Sequence, residues 1–170
     1  MQSSGSLSRK YQLLRDECQT LNSELERFLD ANFGGSTRYT APPKLPVPLT
    51  PVHVVRRKMK EAEVLQLHKS HLQVYKLCMQ RLQTSGPTDY EEQFASLAHH
   101  TDRVITKMTV VLSHLSQSST DGEEVDSQSI PEEINNNNTN GILQTFMDYQ
   151  RSCFLNVEYY YKSHKKKSES

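Results

Sequence analysis

The side chains that could do chemistry here are histidines and cysteines set within helical patterns. His68 and His71 stand three residues apart, and His99 and His100 are adjacent. His68 falls on an apolar stripe, where a core histidine bonded to a neighbour is the expected role and a metal ligand the sharper alternative. His99 and His100 point to different sides of their helix, which argues against joint ligation. Cys18, Cys78 and Cys153 are an odd set for a secreted disulfide framework, and no two stand at metal-ligand spacing. Three small buried hydrophobes is one reading; one bridge plus one free thiol is the other. Glu61/Glu63 and Glu91/Glu92 read as solvated faces or as helix-start charges that complement the helix dipole. No phosphate-cradling glycine loop, nucleophile elbow or paired Cys-x-x-Cys occurs, and no nucleophile, base and orienting group come together. The chain is therefore expected to be a non-enzyme, with no catalytic residue, no metal and no cofactor.

The elements that must position these side chains are helices. Leu7, Tyr11, Leu14, Cys18, Leu21, Leu25 and Phe28 alternate steps of four and three, which puts all of them on one stripe. Tyr90, Phe94, Leu97, Thr101, Val104, Met108, Val111 and Leu115 repeat the pattern, opened by the capping box Thr88 and Glu91. A further stripe runs through Met59, Leu65, His68, Leu72, Tyr75, Met79 and Leu82, with Pro51 suited to a first helical position. The last carries Ile142, Phe146, Tyr149, Cys153, Val157 and Tyr160. Helices are expected over about 6–31, 51–84, 89–116 and 141–163, with Leu21, Leu25, Leu97, Val104 and Phe146 buried. No strand alternation competes, so the chain reads as all-α, a four-helix bundle forming one domain over 1–170.

Two long loops divide the helices. The first, Asn32–Thr50, holds Gly34, Gly35, Pro42, Pro43, Pro46 and Pro48; its apolar Leu45, Val47 and Leu49 need cover. The second, about 117–139, is polar, runs into the asparagines 135–138, and is expected to be flexible. Ser85-Gly86-Pro87 is turn chemistry, which makes the second and third helices antiparallel neighbours. The outer loops far exceed the usual helix–helix connection and can run the length of a bundle. That plan fits an up-up-down-down topology with two long crossovers; an up-down-up-down bundle is the other arrangement these helices allow.

Lys+Arg and Asp+Glu balance at 20 each, so no global attraction to nucleic acid or to an anionic membrane is expected. No apolar run approaches the roughly 20 residues that span a bilayer. The N-terminus lacks a charged head followed by a continuous apolar stretch, so no signal peptide is visible. Asn137-Asn138-Thr139 matches the N-glycosylation pattern, which matters only on a secretory route. His164-Lys165-Lys166-Lys167 forms a basic cluster, read either as a solvated tail or as a contact for heparan sulfate or an acidic receptor.

Several segments resemble known proteins. Glu61-Ala62-Glu63-Val64-Leu65-Gln66, then Gln73-Val74-Tyr75 and Gln80-Arg81-Leu82, resemble the second helix of the ciliary neurotrophic factor and cardiotrophin branch of the interleukin-6 superfamily. Pro87-Thr88 with Phe94 is similar to the start of the third helix in that branch. Pro42-Pro43-Lys44-Leu45-Pro46-Val47, after Phe33-Gly34, is similar to its first long loop. Leu143-Gln144 and Arg151-Ser152 resemble its fourth helix, with spacing one residue shorter. The resemblance covers most of the chain in order.

The resemblance implies a long-chain helical cytokine or growth factor of neurotrophic type. Such a protein is extracellular, by non-standard export or with its leader removed, and a monomer before receptor binding. Its partners would be receptor ectodomains of the interleukin-6 receptor family, which then activate cytoplasmic kinases. One surface would use the first long loop and the C-terminal half of the fourth helix, here Arg151, Asn156, Tyr159 and Lys162. A second would use the outward sides of the first and third helices, here Arg15, Gln19, Asn22, Arg103 and Lys107. A third would lie at the start of the fourth helix. There, members that use the leukaemia inhibitory factor receptor carry a Phe and a Lys, and this chain has Asn138-Thr139-Asn140-Gly141. That departure, with the missing Trp, leaves open a receptor pairing closer to that of interleukin-6 or interleukin-11. The rival reading is a cytoplasmic helical adaptor or subunit of a protein complex, which needs no export route.

Overall fold

A computed structural model describes residues 4–33, 45–48, 57–85, 88–116 and 139–169. Four helices account for most of them: α1 (Ser4–Phe33), α2 (Glu61–Ser85), α3 (Glu91–Ser116) and α4 (Thr139–Glu169). They pack as a bundle, and no strand occurs among the described residues. A single 3₁₀ turn, Thr88–Tyr90, leads into α3, whose first turn holds Glu91 and Glu92, acids suited to the positive end of the helix dipole.

The apolar stripes meet in one contiguous core. Every α1 stripe residue from Leu7 to Phe28 is buried, as are Phe94 to Val111 on α3 and Ile142 to Tyr160 on α4. Leu21, Leu25, Leu97, Val104 and Phe146 all lie in it. Aromatic rings fix the layers: Tyr75 of α2 stacks on Phe146 of α4 at 4.5 Å and 5°, while Phe28 of α1 meets Phe94 of α3 at 5.6 Å.

Cross-helix contacts set the directions. Tyr11, near the start of α1, donates its hydroxyl proton to Glu61 at the start of α2 and stacks on His164 near the end of α4. Lys10 bonds His114, in the last turn of α3, at 2.9 Å. These contacts bring Tyr11, Glu61 and His164 together, with Lys10 and His114 meeting one residue along α1. The main contacts join α2 to α3, α1 to α4 and α1 to α3, with a lighter contact of α2 on α4.

Several boundaries differ from the sequence expectation. The helix expected over 51–84 is interrupted at Met59 and Lys60 and runs unbroken from Glu61, with the Val64 amide bonded to the Lys60 carbonyl at 3.0 Å. Residues 49–56, including Pro51, lie outside the described residues, as do residues 117–138 of the loop expected over about 117–139, whose last residue, Thr139, belongs to the last helix. The last helix starts at Thr139 and continues to Glu169, past the expected 141–163, because Lys166 and Lys167 in its last turn complement the negative end of the dipole. Leu45 is buried in the core as its need for cover implied. Val47 is 67% exposed, which corrects that expectation. The neighbouring Pro46 carbonyl accepts the Tyr75 hydroxyl, and this ties the segment to α2 with Leu45 turned inward and Val47 outward.

Candidate functional site

The buried histidine of α2 belongs to a polar chain that crosses to α4. The Asn156 side-chain amide donates to His68 Nε2 at 2.9 Å, and His68 Nδ1 bonds the Tyr149 hydroxyl at 2.7 Å. That hydroxyl also meets His71 Nδ1 at 2.9 Å. With Nε2 accepting, His68 Nδ1–H donates to the Tyr149 oxygen, and the Tyr149 hydroxyl donates its own hydrogen bond to His71 Nδ1. Both rings are then neutral. Burial, then the nearby His71, lowers the His68 pKa to about 3, and burial lowers that of His71. His68 is a core residue satisfied at both nitrogens.

These shifts set an acid response. Above pH 6.5 neither state protonates His68; below it the unfolded chain takes up a proton that the folded core refuses until about pH 3. Stability is therefore full above pH 6.5 and lost as the pH falls through that window, by roughly 2–3 kcal/mol between pH 7 and 4.5. Urea-unfolding midpoints across that range should fall, and His68→Gln should flatten the dependence; a pH-independent wild-type midpoint contradicts this protonation scheme.

The thiols are core groups too. Cys18, Cys78 and Cys153 are free and buried. The Cys78 thiol is pushed up to about 12 by burial. That of Cys153 is raised by its hydrogen bond with Cys18 and by burial. Such thiols are protonated at neutral pH. Among the described residues no group of His, Cys, Asp or Glu is placed to hold a metal ion.

The polar surface carries the remaining candidates. Along α4, Arg151, Leu155, Tyr159 and Lys162 form an exposed row at steps of four, four and three, with Leu155 51% and Tyr159 49% accessible. Arg151 reaches Asp148 at 3.7 Å and Lys162 reaches Glu158 at 3.5 Å, both within α4. On the α1/α3 flank, Gln19 and Arg103 are exposed and Lys107 half-buried. Arg103 grips Glu17 at 2.7 Å and holds its carboxyl below the usual range, chiefly through that hydrogen bond. Further along this flank lies a groove of about 360 Å³ lined by Glu24, Arg27, Phe28, Asn32, Glu92 and Leu97, among others.

Comparison with protein-family models, curated proteins and solved structures finds no match to this chain. The surfaces therefore rest on their own geometry.

Three expected surface residues need correction. Asn156 is fully buried: it follows Cys153 by three and precedes Tyr160 by four, which places it on the core side of α4 beside His68. Arg15 is only partly exposed, with its Nε enclosed; it pairs with Glu158 at 3.4 Å and lies 5.5 Å over the Tyr161 ring. Asn22 is half-buried, with an enclosed Oδ1. Arg15→Glu is accordingly expected to cost roughly 1–3 kcal/mol by facing two carboxylates across a partly dry contact. Lys107→Glu should stay within about 0.5 kcal/mol. Equal thermal midpoints for the two variants contradict this placement of Arg15. The sequence reading omitted Leu155; its signal was an apolar residue two positions off the core stripe, on a polar face.

Proposed function

We propose that the chain is an extracellular helical cytokine that gathers receptor chains of the interleukin-6 receptor type through separate helix faces. The observation that carries this reading is the exposed row Arg151, Leu155, Tyr159 and Lys162 on α4. Tyr and Arg are the residues in which binding hot spots are enriched, and Arg151 and Tyr159 stand together in this row with Leu155 between them. The α1/α3 flank, with Gln19, Arg103, Lys107 and the groove beside Phe28, supplies a second surface on another side of the bundle. Convergence of Tyr11, Glu61, His114 and His164 at one end supports the up-up-down-down arrangement, with long crossovers before α2 and before α4. On this reading the protein does no catalysis, is a monomer before binding, and acts by bringing receptors together.

The test is a binding screen of the purified chain against receptor ectodomains of this type, with its solution mass measured alongside. A compact monomer that captures one ectodomain tightly and a second only in its presence supports the proposal. An obligate oligomer that captures none favours the cytoplasmic adaptor instead.

A further inference from the structure

The chain has no net charge, yet its charges are sorted along the bundle. Helix direction causes this. Arg57, Lys58 and Lys60 lead into α2, and Lys165, Lys166 and Lys167 close α4; all six are exposed. More than a hundred positions apart in sequence, the two groups share one end of the bundle, because Glu61 beside Lys60 bonds both His164 and Tyr11. Arg9 and Lys10 near the start of α1 join them there, Lys10 through its contact with His114. The opposite end carries Glu26, Asp30, Glu91 and Glu92, all exposed, with Arg27 paired to Glu24 among them.

Helix stability explains only part of this. Lys166 and Lys167 sit in the last turn of α4 and complement its dipole. Arg57, Lys58 and Lys60 precede the first turn of α2, where positive charge opposes the dipole. Of the acids at this end, Glu61 is engaged by Tyr11 and His164, Glu158 by Arg15 and Lys162, and Glu63 stands exposed in the first turn of α2.

We infer that this basic end binds a linear sulfated polysaccharide across the start of α2 and the end of α4. Lysine-rich point charges without a reading surface suit a ligand recognised by charge density. Among the described residues, none of the exposed large apolar side chains, Val47, Val110, Leu155 and Tyr159, lies in the segments carrying these cations, so those residues offer no apolar wedge for a membrane. The rings at this end are also withheld from stacking on bases: Tyr11 and Tyr160 are buried, and Tyr161 lies beneath Arg15 and Lys165. The site is distinct from the α4 row and the α1/α3 flank, and it stands whether or not those faces bind receptors.

The test uses the full chain and a size-defined heparin oligosaccharide, titrated calorimetrically over a series of salt concentrations. Wild type should bind at about 0.15 M salt with affinity falling steeply as salt rises. Two triple variants are compared, Arg57→Gln/Lys58→Gln/Lys60→Gln and Lys165→Gln/Lys166→Gln/Lys167→Gln, with circular dichroism to confirm folding. Each should weaken binding about tenfold or more and reduce the log–log salt slope by about 2, since each lost contact removes about 0.7 of slope. Arg81→Gln, toward the other end of α2, should change neither. Full affinity in the α2 variant overturns the inference, because the tail alone would then suffice. So does equal binding of desulfated heparin, tighter binding to phosphatidylserine vesicles, or no heparin binding at this salt.

Discussion

Phe146→Ala is expected to cost about 3–5 kcal/mol, the range for removing a fully buried phenyl ring from a core. Phe146 has no accessible surface and stacks face to face on Tyr75. Tyr75 leans on Tyr149 at 5.5 Å and donates its hydroxyl proton to the Pro46 carbonyl. One ring therefore supports α4, α2 and the segment that carries Leu45. Total stabilities of such domains run to about 5–15 kcal/mol, so the loss is a large share. Phe146→Leu keeps most of the volume and should cost less than about 1.5 kcal/mol. Urea-unfolding midpoints measure both; a loss below about 0.5 kcal/mol for the alanine variant would mean that the α4 stripe does not pack inward.

The core was legible because a helix exposes its burial in its spacing. Steps of three and four named Leu21, Leu97, Val104 and Phe146 without any long-range information, and each is buried. Buried polar positions were legible only in part. His68 declared itself by lying on the stripe, but Asn156 did not: an asparagine on a helix reads as solvated until a partner is known, and that partner is His68, 88 residues away. Arg15 misled for a related reason. Its guanidinium can lie over a ring and still reach a carboxylate, and Tyr161 and Glu158 come from a helix packed alongside. The break at Met59 and Lys60 had no periodic signal, since Met59 still touches the core. The basic end was hidden because it is assembled from segments that meet only once the helix directions are fixed.

The second large effect concerns recognition. Leu155 and Tyr159 are half exposed, and the Tyr159 ring meets that of Tyr160 edge-on at 5.6 Å. Leu155→Ala with Tyr159→Ala should leave the thermal midpoint nearly unchanged, because exposed substitutions usually stay within about 0.5 kcal/mol. If they are the anchors of the first-engaged receptor, their joint truncation should weaken its binding at least about a hundredfold, given a typical hot-spot cost of about 2 kcal/mol or more for each. Arg103→Glu with Lys107→Glu acts on a different flank. It should leave first-receptor binding intact and abolish recruitment of the second chain, through reversed charge at the encounter surface. That variant would occupy one receptor without signalling and so compete with the wild type.

The decisive measurement is ternary-complex formation on immobilised receptor ectodomain, followed as the second ectodomain is added. Wild type should build the complex in two steps. The Leu155/Tyr159 variant should fail at the first step, and the Arg103/Lys107 variant should pass the first and fail at the second. Two variants that both assemble like wild type, or a wild-type chain that no ectodomain binds, would contradict the proposal that this bundle works by gathering receptors through separate helix faces.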